Sequence, residues 1–330
     1  MIKIKSNIGI PKYKQIINSV EELIISGRLK KGDQIPSINH IKKQHNLSRD
    51  TVLTAFNELK NRGIIQSVVG KGYYISSENI SVTQKIFLLF DELNSFKEDL
   101  YNSFLENLGS DIQVDIYFHH FNRSSFSKLI LENIGDYNYY VIMPANLEQT
   151  NNDIKNLPNE KVYILDQIHD DLLEYPAIYQ NFKNALLNNL NEAKHLIEKY
   201  KNLFFVNTSN KQPQGILTGF SEFCKTNNFE HAILNTLKDR IPDTGDLYII
   251  PDDKNLLRII KKARESQLCL GKDIGIISYN DTLLKEIVEG GITTISTDFN
   301  AMGKRLAEMI LNKENAQIEN PNSLIIRNSL

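Results

Sequence analysis

Polar residues recur in this chain at the ends of apolar runs, where a parallel sheet would gather them. Asp91 and Asn94 follow KIFLLF, His119 and His120 follow DIYF, Asn146 follows VIMP, and Asp166 closes KVYILD. Farther along, Asn207 follows NLFFV, Asp253 follows DLYIIP, Asn280 and Asp281 follow IGIISY, and Asp298 follows TTIST. Carboxylates and amides suit a polyhydroxylated molecule, because each accepts or donates a pair of hydrogen bonds and a buried unmatched hydroxyl is costly. Aspartate at a strand end also caps the following helix, the plainer role open to Asp252 and Asp253. A second set is short and basic: Ser48-Arg49-Asp50-Thr51 opens a helical stretch, and Lys71-Gly72 sits in a glycine-rich turn. Backbone N–H groups and a guanidinium at a helix start suit phosphates and base edges.

Other chemistry finds no motif. The sequence has no G-x-G-x-x-G after a strand, no G-x-S-x-G elbow and no His-x-x-x-His pair, so an enzyme is not expected. Gly70-Lys71 fails as a phosphate loop, since Ile65 stands where a glycine is required and Gly72 replaces the magnesium-holding Ser or Thr. His119 and His120 are neighbours on a strand, pointing to opposite faces with no third ligand at a useful spacing, so neither a metal nor a cofactor is expected.

These residues need elements to hold them. PKYKQIINSVEELIISG is an amphipathic helix begun by Pro11 and ended by Gly27. After the turn RLKKGDQIPS, Ser37 caps a short helix, INHIKKQHN, and Ser48 caps SRDTVLTAFNELKNRG. IIQSVVGKGYYIS reads as two strands about a Gly-Lys-Gly turn, which makes a wing beside a helix-turn-helix. From Thr83 the pattern changes to apolar strands alternating with helices, which predicts parallel sheets covered on both faces. One long helix, FKNALLNNLNEAKHLIEKY, separates two such series, and a strand in SLIIRNSL ends the chain. The fold class expected is α/β: a winged helix-turn-helix over 1–77, a linker over 78–82, and a two-lobed body over 83–330.

Charge divides along the same boundary. Residues 1–77 carry 13 Lys and Arg against 5 Asp and Glu, a balance of +8, so a net charge of −2 leaves −10 on the remainder. A basic head on an acidic body is the pattern of a polyanion-binding module joined to an effector module. At 330 residues the chain exceeds one hydrophobic core. The N-terminus lacks the apolar run of a secretory signal and no later run is long enough to span a bilayer, which predicts a cytoplasmic protein with no membrane partner. Cys224 and Cys269 show no pairing or metal-ligand spacing and read as small buried hydrophobes.

PKYKQII, SGRLKKGDQIPS, LSRDTVLTAFNELKNRGII and GKGYYI together resemble the winged helix-turn-helix of the GntR family. That resemblance implies a DNA-facing set of Lys12, Ser37, Asn39, Ser48, Arg49, Asp50, Thr51, Lys71 and Gly72, with Arg49 first for a base contact and the wing in the minor groove. PDDKNLLRIIKKARESQLCLGKDIGIISYND and GGITTISTDFNAMGKRLAEMIL resemble the periplasmic-binding-protein-like effector domain of LacI/GalR regulators. The combination resembles the arabinose-repressor type of architecture. It implies a homodimeric regulator of carbohydrate-use genes, a repressor, that binds double-stranded operator DNA and a monosaccharide such as a pentose or deoxyhexose. It places a sugar hydroxyl against Asn280-Asp281, with Asp91, Asn94, His119, His120, Asn146, Asp166, Asn207 and Asp253 as the further ligand-binding set. A regulator answering to a purine or other non-sugar ligand, and a cytoplasmic solute-binding protein, are the competing readings.

Overall fold

The structure is a computed structural model, and it describes residues 2–4, 10–80, 84–208 and 211–330. Positions 81–83, which hold the end of the expected linker and the start of the body, lie outside the described residues. Among the described residues of the head there are three helices and three strands: α1 (Lys12–Ile25), β1 (Gln34–Ile35), α2 (Ile38–His45), α3 (Arg49–Asn61), β2 (Ile65–Val68) and β3 (Gly72–Ile75). Ser37 Oγ accepts from the His40 amide at 3.2 Å and Ser48 Oγ from that of Thr51 at 3.1 Å, so both sequence-read caps start their helices. Ile16, Val20, Ile41, Val52, Phe56 and Leu59 bury one face of each helix in a shared core, closed by Ile35, Ile65 and Ile75 from the strands. The two-residue β1 pairs antiparallel with β3 inside the stretch read as a turn. It forms because Ile35 is buried while the Gly32 and Ile75 amides close on Ile75 and Asp33 carbonyls at 2.8 Å.

The remaining elements, in chain order, are β4 (Gln84–Phe90), α4 (Ser95–Leu108), β5 (Ile112–Phe118), α5 (Arg123–Glu132), β6 (Tyr139–Ile142), α6 (Asn151–Ile154), β7 (Val162–Asp166) and β8 (Ala177–Tyr179). They continue with α7 (Phe182–Glu192), α8 (Lys194–Ile197), β9 (Asn202–Val206), α9 (Gln214–Thr226), β10 (Glu230–Leu234), β11 (Asp246–Ile250) and α10 (Asp253–Glu265). Last come β12 (Gly275–Tyr279), α11 (Leu283–Ile287), β13 (Thr293–Thr297), α12 (Phe299–Asn312), β14 (Gln317–Glu319) and β15 (Asn322–Ile325).

Contacts divide the chain into two compact units. The first takes Met1–Phe90, Leu108–Ile142 and Thr150–Tyr163, and holds the head together with parallel strands in the order β5-β4-β6. Here the end of α3 and the turn after it meet the loop before β6 and the Lys85 side chain of β4. Lys60 Nζ is 2.5 Å from Asp136 Oδ1, and a Cβ on Gly63 would lie 2.6 Å from the Lys85 side chain.

The second unit takes Asp91–Asn107, Met143–Gln149 and Ile164–Leu330. Its six-stranded sheet runs β10-β9-β11-β12-β13-β15, parallel except for the antiparallel last pair. One face buries Leu186, Leu190, Phe205, Phe220 and Phe223 with α7 and α9, and the other buries Tyr248, Ile250, Leu256, Ile259 and Ile276 with α10. Helices on both faces of a parallel sheet explain the near-continuous apolar runs of its strands. β14 pairs parallel with β8, and neither three-residue strand was legible because three residues carry no period. The single long helix expected over 182–200 is two, α7 and α8, separated at Ala193, where ψ opens to 0. Cys224 is buried as expected, but Cys269 is exposed, because it lies in a turn where its amide donates to Asp273 at 2.8 Å.

Candidate DNA interface and effector cavity

At the start of α3, Arg49 and Asp50 are exposed, while Ser48 and Thr51 share a hydroxyl hydrogen bond of 2.8 Å in addition to the cap. The hydroxyls of Ser48 and Thr51 therefore shape the helix start, and Arg49 is the long side chain it presents to solvent. Ser37, Asn39 and Lys71 are exposed, and Lys12 and Gly72 are half-buried. The Thr54 hydroxyl turns back to the Asp50 carbonyl at 2.8 Å and is taken up within the helix.

The second unit contains a cavity of about 750 Å³. Asn146, Leu147, Glu148 and Gln149 line it from the loop after β6, and Gln167, His169 and Asp171 from the loop after β7. Phe205 and Asn207 come from the end of β9, Gln212 and Pro213 from the turn beyond, and Gln214, Gly215 and Leu217 from the first turn of α9. Phe182, at the start of α7, completes the lining. All these segments except the helix start of α7 leave the carboxyl ends of parallel strands, the position where open α/β sheets bind ligands.

Side-chain amides are the commonest polar groups of this wall, at Asn146, Gln149, Gln167, Asn207, Gln212 and Gln214, beside the carboxylates of Glu148 and Asp171, and amides accept and donate at once. Asn146 is anchored: its Nδ2 donates to the carbonyls of Lys211 (3.1 Å) and Gln212 (2.8 Å). Beside it Lys211 Nζ pairs with Glu92 at 2.6 Å. His169 Nε2 lies 2.7 Å from the Ala145 carbonyl, and since a carbonyl carries no hydrogen, Nε2 holds the proton and a neutral ring keeps Nδ1 as an acceptor. The N-terminus of α9 adds partial positive charge, and Phe182 and Phe205 add apolar surface.

Of the residues expected to bind a ligand, Asn146 and Asn207 line the cavity. The others are placed elsewhere. Asp91 is buried against Lys97, and Asn94 caps α4 through the Lys97 amide at 3.1 Å. His119 is fully buried with its ring edge-on to Phe126, and His120, at φ 51, stacks on Phe118. Asp166 is buried and accepts from Gln180 Nε2 at 2.5 Å. Asp253 pairs with the buried Lys285 at 3.0 Å, and Asp298 caps α12. Asp281 is held by both Arg327 nitrogens at 2.6 and 2.7 Å and by Thr294 at 3.0 Å. Burial pushes its carboxyl up, but the Arg327 guanidinium and the Thr294 hydroxyl outweigh that and hold it below the usual range. Neighbouring Asn280, at φ 58, donates its amide to Ile295 at 2.8 Å. Sequence reasoning missed Gln167, His169, Asp171 and the 212–217 segment. The strand-end signal pointed toward them, but these lining residues lie one to ten positions beyond Asp166 and Asn207, where it was applied.

A winged helix-turn-helix and a two-lobed, parallel-sheet domain of the periplasmic-binding-protein type define a DNA-binding transcription regulator. Residues 12–75 match the bacterial regulatory proteins of the gntR family, and residues 193–330 match a periplasmic binding protein-like domain. The chain is 36% identical over 100 residues to the HTH-type transcriptional repressor YtrA of Bacillus subtilis, an alignment covering 30% of this chain and 73% of that protein. It is 23% identical to the arabinose metabolism transcriptional repressor of Geobacillus stearothermophilus, over 92% of this chain and 91% of that one. Among solved structures, a periplasmic binding protein/LacI transcriptional regulator from Alkaliphilus metalliredigens, complexed with D-xylulofuranose, superposes with a TM-score of 0.58 at 14% identity, covering 74% of this chain and 98% of that chain. The chain belongs to the gntR family of bacterial regulatory proteins, and it is a transcription regulator rather than an enzyme.

Proposed function

We propose that this regulator is a ligand-responsive repressor of carbohydrate-use genes whose effector is a monosaccharide such as a pentose or deoxyhexose, bound in the 750 Å³ cavity. The observation that carries the reading is the lining: amides and one imidazole of fixed tautomer beside two phenylalanines, a pairing of hydroxyl partners with apolar surface. The similarity to an arabinose repressor over 92% of the chain, and a sugar in a neighbour of the same fold, support it. Residues 1–77 form the operator-binding head, with Arg49 on a base edge and Lys12, Ser37, Asn39, Ser48, Asp50, Thr51, Lys71 and Gly72 on backbone and groove. Residues 83–330 bind effector and dimerise, since a two-fold protein reads a palindromic operator. The protein works in the cytoplasm; among the described residues no helix is long and apolar enough to cross a membrane.

A thermal-shift screen of the full chain against pentoses, deoxyhexoses, other monosaccharides and purines tests the reading. A saturating ligand, at a hundred times its dissociation constant, adds about 2.7 kcal/mol of stability. One sugar should raise the melting temperature, and Asn207→Ala should abolish that rise while retaining DNA binding. A purine that stabilises the protein while every sugar fails would overturn the sugar assignment, and no response to any compound would remove the cavity as the effector site.

A further inference from the structure

The tip of the wing is made of residues that are poor at holding themselves still. Between β2 and β3 run Val69, Gly70 and Lys71, with Gly70 at φ +73 and Gly72 at φ +111, and Val69 is fully exposed. A Cβ on Gly70 would meet nothing within 4 Å, so no packing confines the turn from that side. Two hydrogen bonds do confine it. The Lys71 amide closes the turn on the Val68 carbonyl at 3.0 Å, and the Lys71 carbonyl accepts from Gln34 Nε2 at 2.7 Å. Gln34 reaches in from outside the hairpin: it sits on β1, opposite Tyr74 of β3, three residues along the strand from Lys71. Gly72 lies under its path, where a Cβ would come within 3.2 Å of Gln34 Nε2. The glycine thus supplies both the left-handed turn and the room for the amide.

We propose that Gln34 is a positioning residue for DNA binding, which fixes the wing tip so that Lys71 meets the DNA backbone in one preformed conformation. The inference rests on the reading of Lys71 and Gly72 as groove-facing residues. Preformed geometry raises affinity because the ordering entropy of a Gly-Lys-Gly turn is met on folding rather than on binding. Gln34 touches no DNA in this scheme; it acts through the carbonyl of Lys71.

Duplexes selected from a randomised pool by the full wild-type chain serve as the probe, with affinity measured against salt concentration for wild type, Gln34→Met, Lys71→Ala and the double variant. Methionine keeps the length of glutamine and removes the donor without adding charge. Gln34→Met should bind about fivefold more weakly, the scale of one exposed hydrogen bond, with an unchanged melting temperature. Lys71→Ala should weaken binding and flatten the log–log salt slope by about one unit. The double variant should bind no worse than Lys71→Ala, because the two residues act as a unit. In the free protein, amide exchange over 66–74 should quicken in Gln34→Met. Wild-type affinity or wild-type exchange in Gln34→Met, or losses that add in the double variant, would overturn the proposal. Wild-type binding and slope in Lys71→Ala would instead overturn the wing reading beneath it.

Discussion

Asp166 shows how far a residue's environment can depart from its sequence label. It sits at φ 74, buried, with Gln180 donating to it at 2.5 Å and Gln180 in turn accepting from the Thr297 hydroxyl. Burial, the largest influence, pushes its carboxyl up to about 6, with the charge of Lys97 opposing and that of Asp91 adding. The folded protein therefore takes up this proton more readily than the unfolded chain, whose carboxyl titrates near 3.8. The resulting stabilisation is fully present below about pH 4 and lost as the pH rises through 6. Denaturation across that window should show wild type losing on the order of 3 kcal/mol relative to Asp166→Asn, and parallel curves for the two proteins would refute it. Asp166 and Asp281 both stand at strand ends and looked alike in sequence. Their surroundings separate them, since one is desolvated and raised while the other is clasped by Arg327, 46 residues away in sequence, and lowered. Nothing in the local sequence around Asp281 announces that partner.

Elements were the most legible scale, because caps and periodicity are local properties. Ser37, Ser48 and Asp252 each accept a first-turn amide, as their types and positions predict. Helix–helix contacts were not legible, and glycines mark where they fall. A Cβ on Gly303 of α12 would lie 2.2 Å from the Leu100 carbonyl of α4, where Ser103 Oγ also donates to the Asn300 carbonyl at 2.7 Å. A Cβ on Gly219 of α9 would similarly lie 2.5 Å from the Lys183 carbonyl of α7. Backbone cannot yield as a flexible side chain can, so Gly303→Ala must push α12 away from α4. Urea unfolding should show a loss of about 1–3 kcal/mol, although alanine is the better helix former; an equal or raised stability would mean the two helices do not touch there.

Across the whole molecule, residues 1–77 carry +8 and residues 78–330 carry −10, so opposite charges are segregated along one chain. If the cavity controls the head, the coupling is an exchange of free energy and must act in both directions. The stabilising sugar should change operator affinity by roughly 5- to 150-fold, and operator DNA should change sugar affinity by the same factor in titration calorimetry. Equal sugar affinity with and without DNA would show two uncoupled modules. The kinds of module, their order and most of their elements can be read from the residues alone, because they follow from caps, glycines and apolar spacing between near neighbours. Which polar residues share a cavity depends on packing. His169 and Phe182 line it together with Gln212, while Asp281 is drawn to Arg327, because side chains distant in the chain meet only when strands and helices pack, and local pattern carries no record of that meeting.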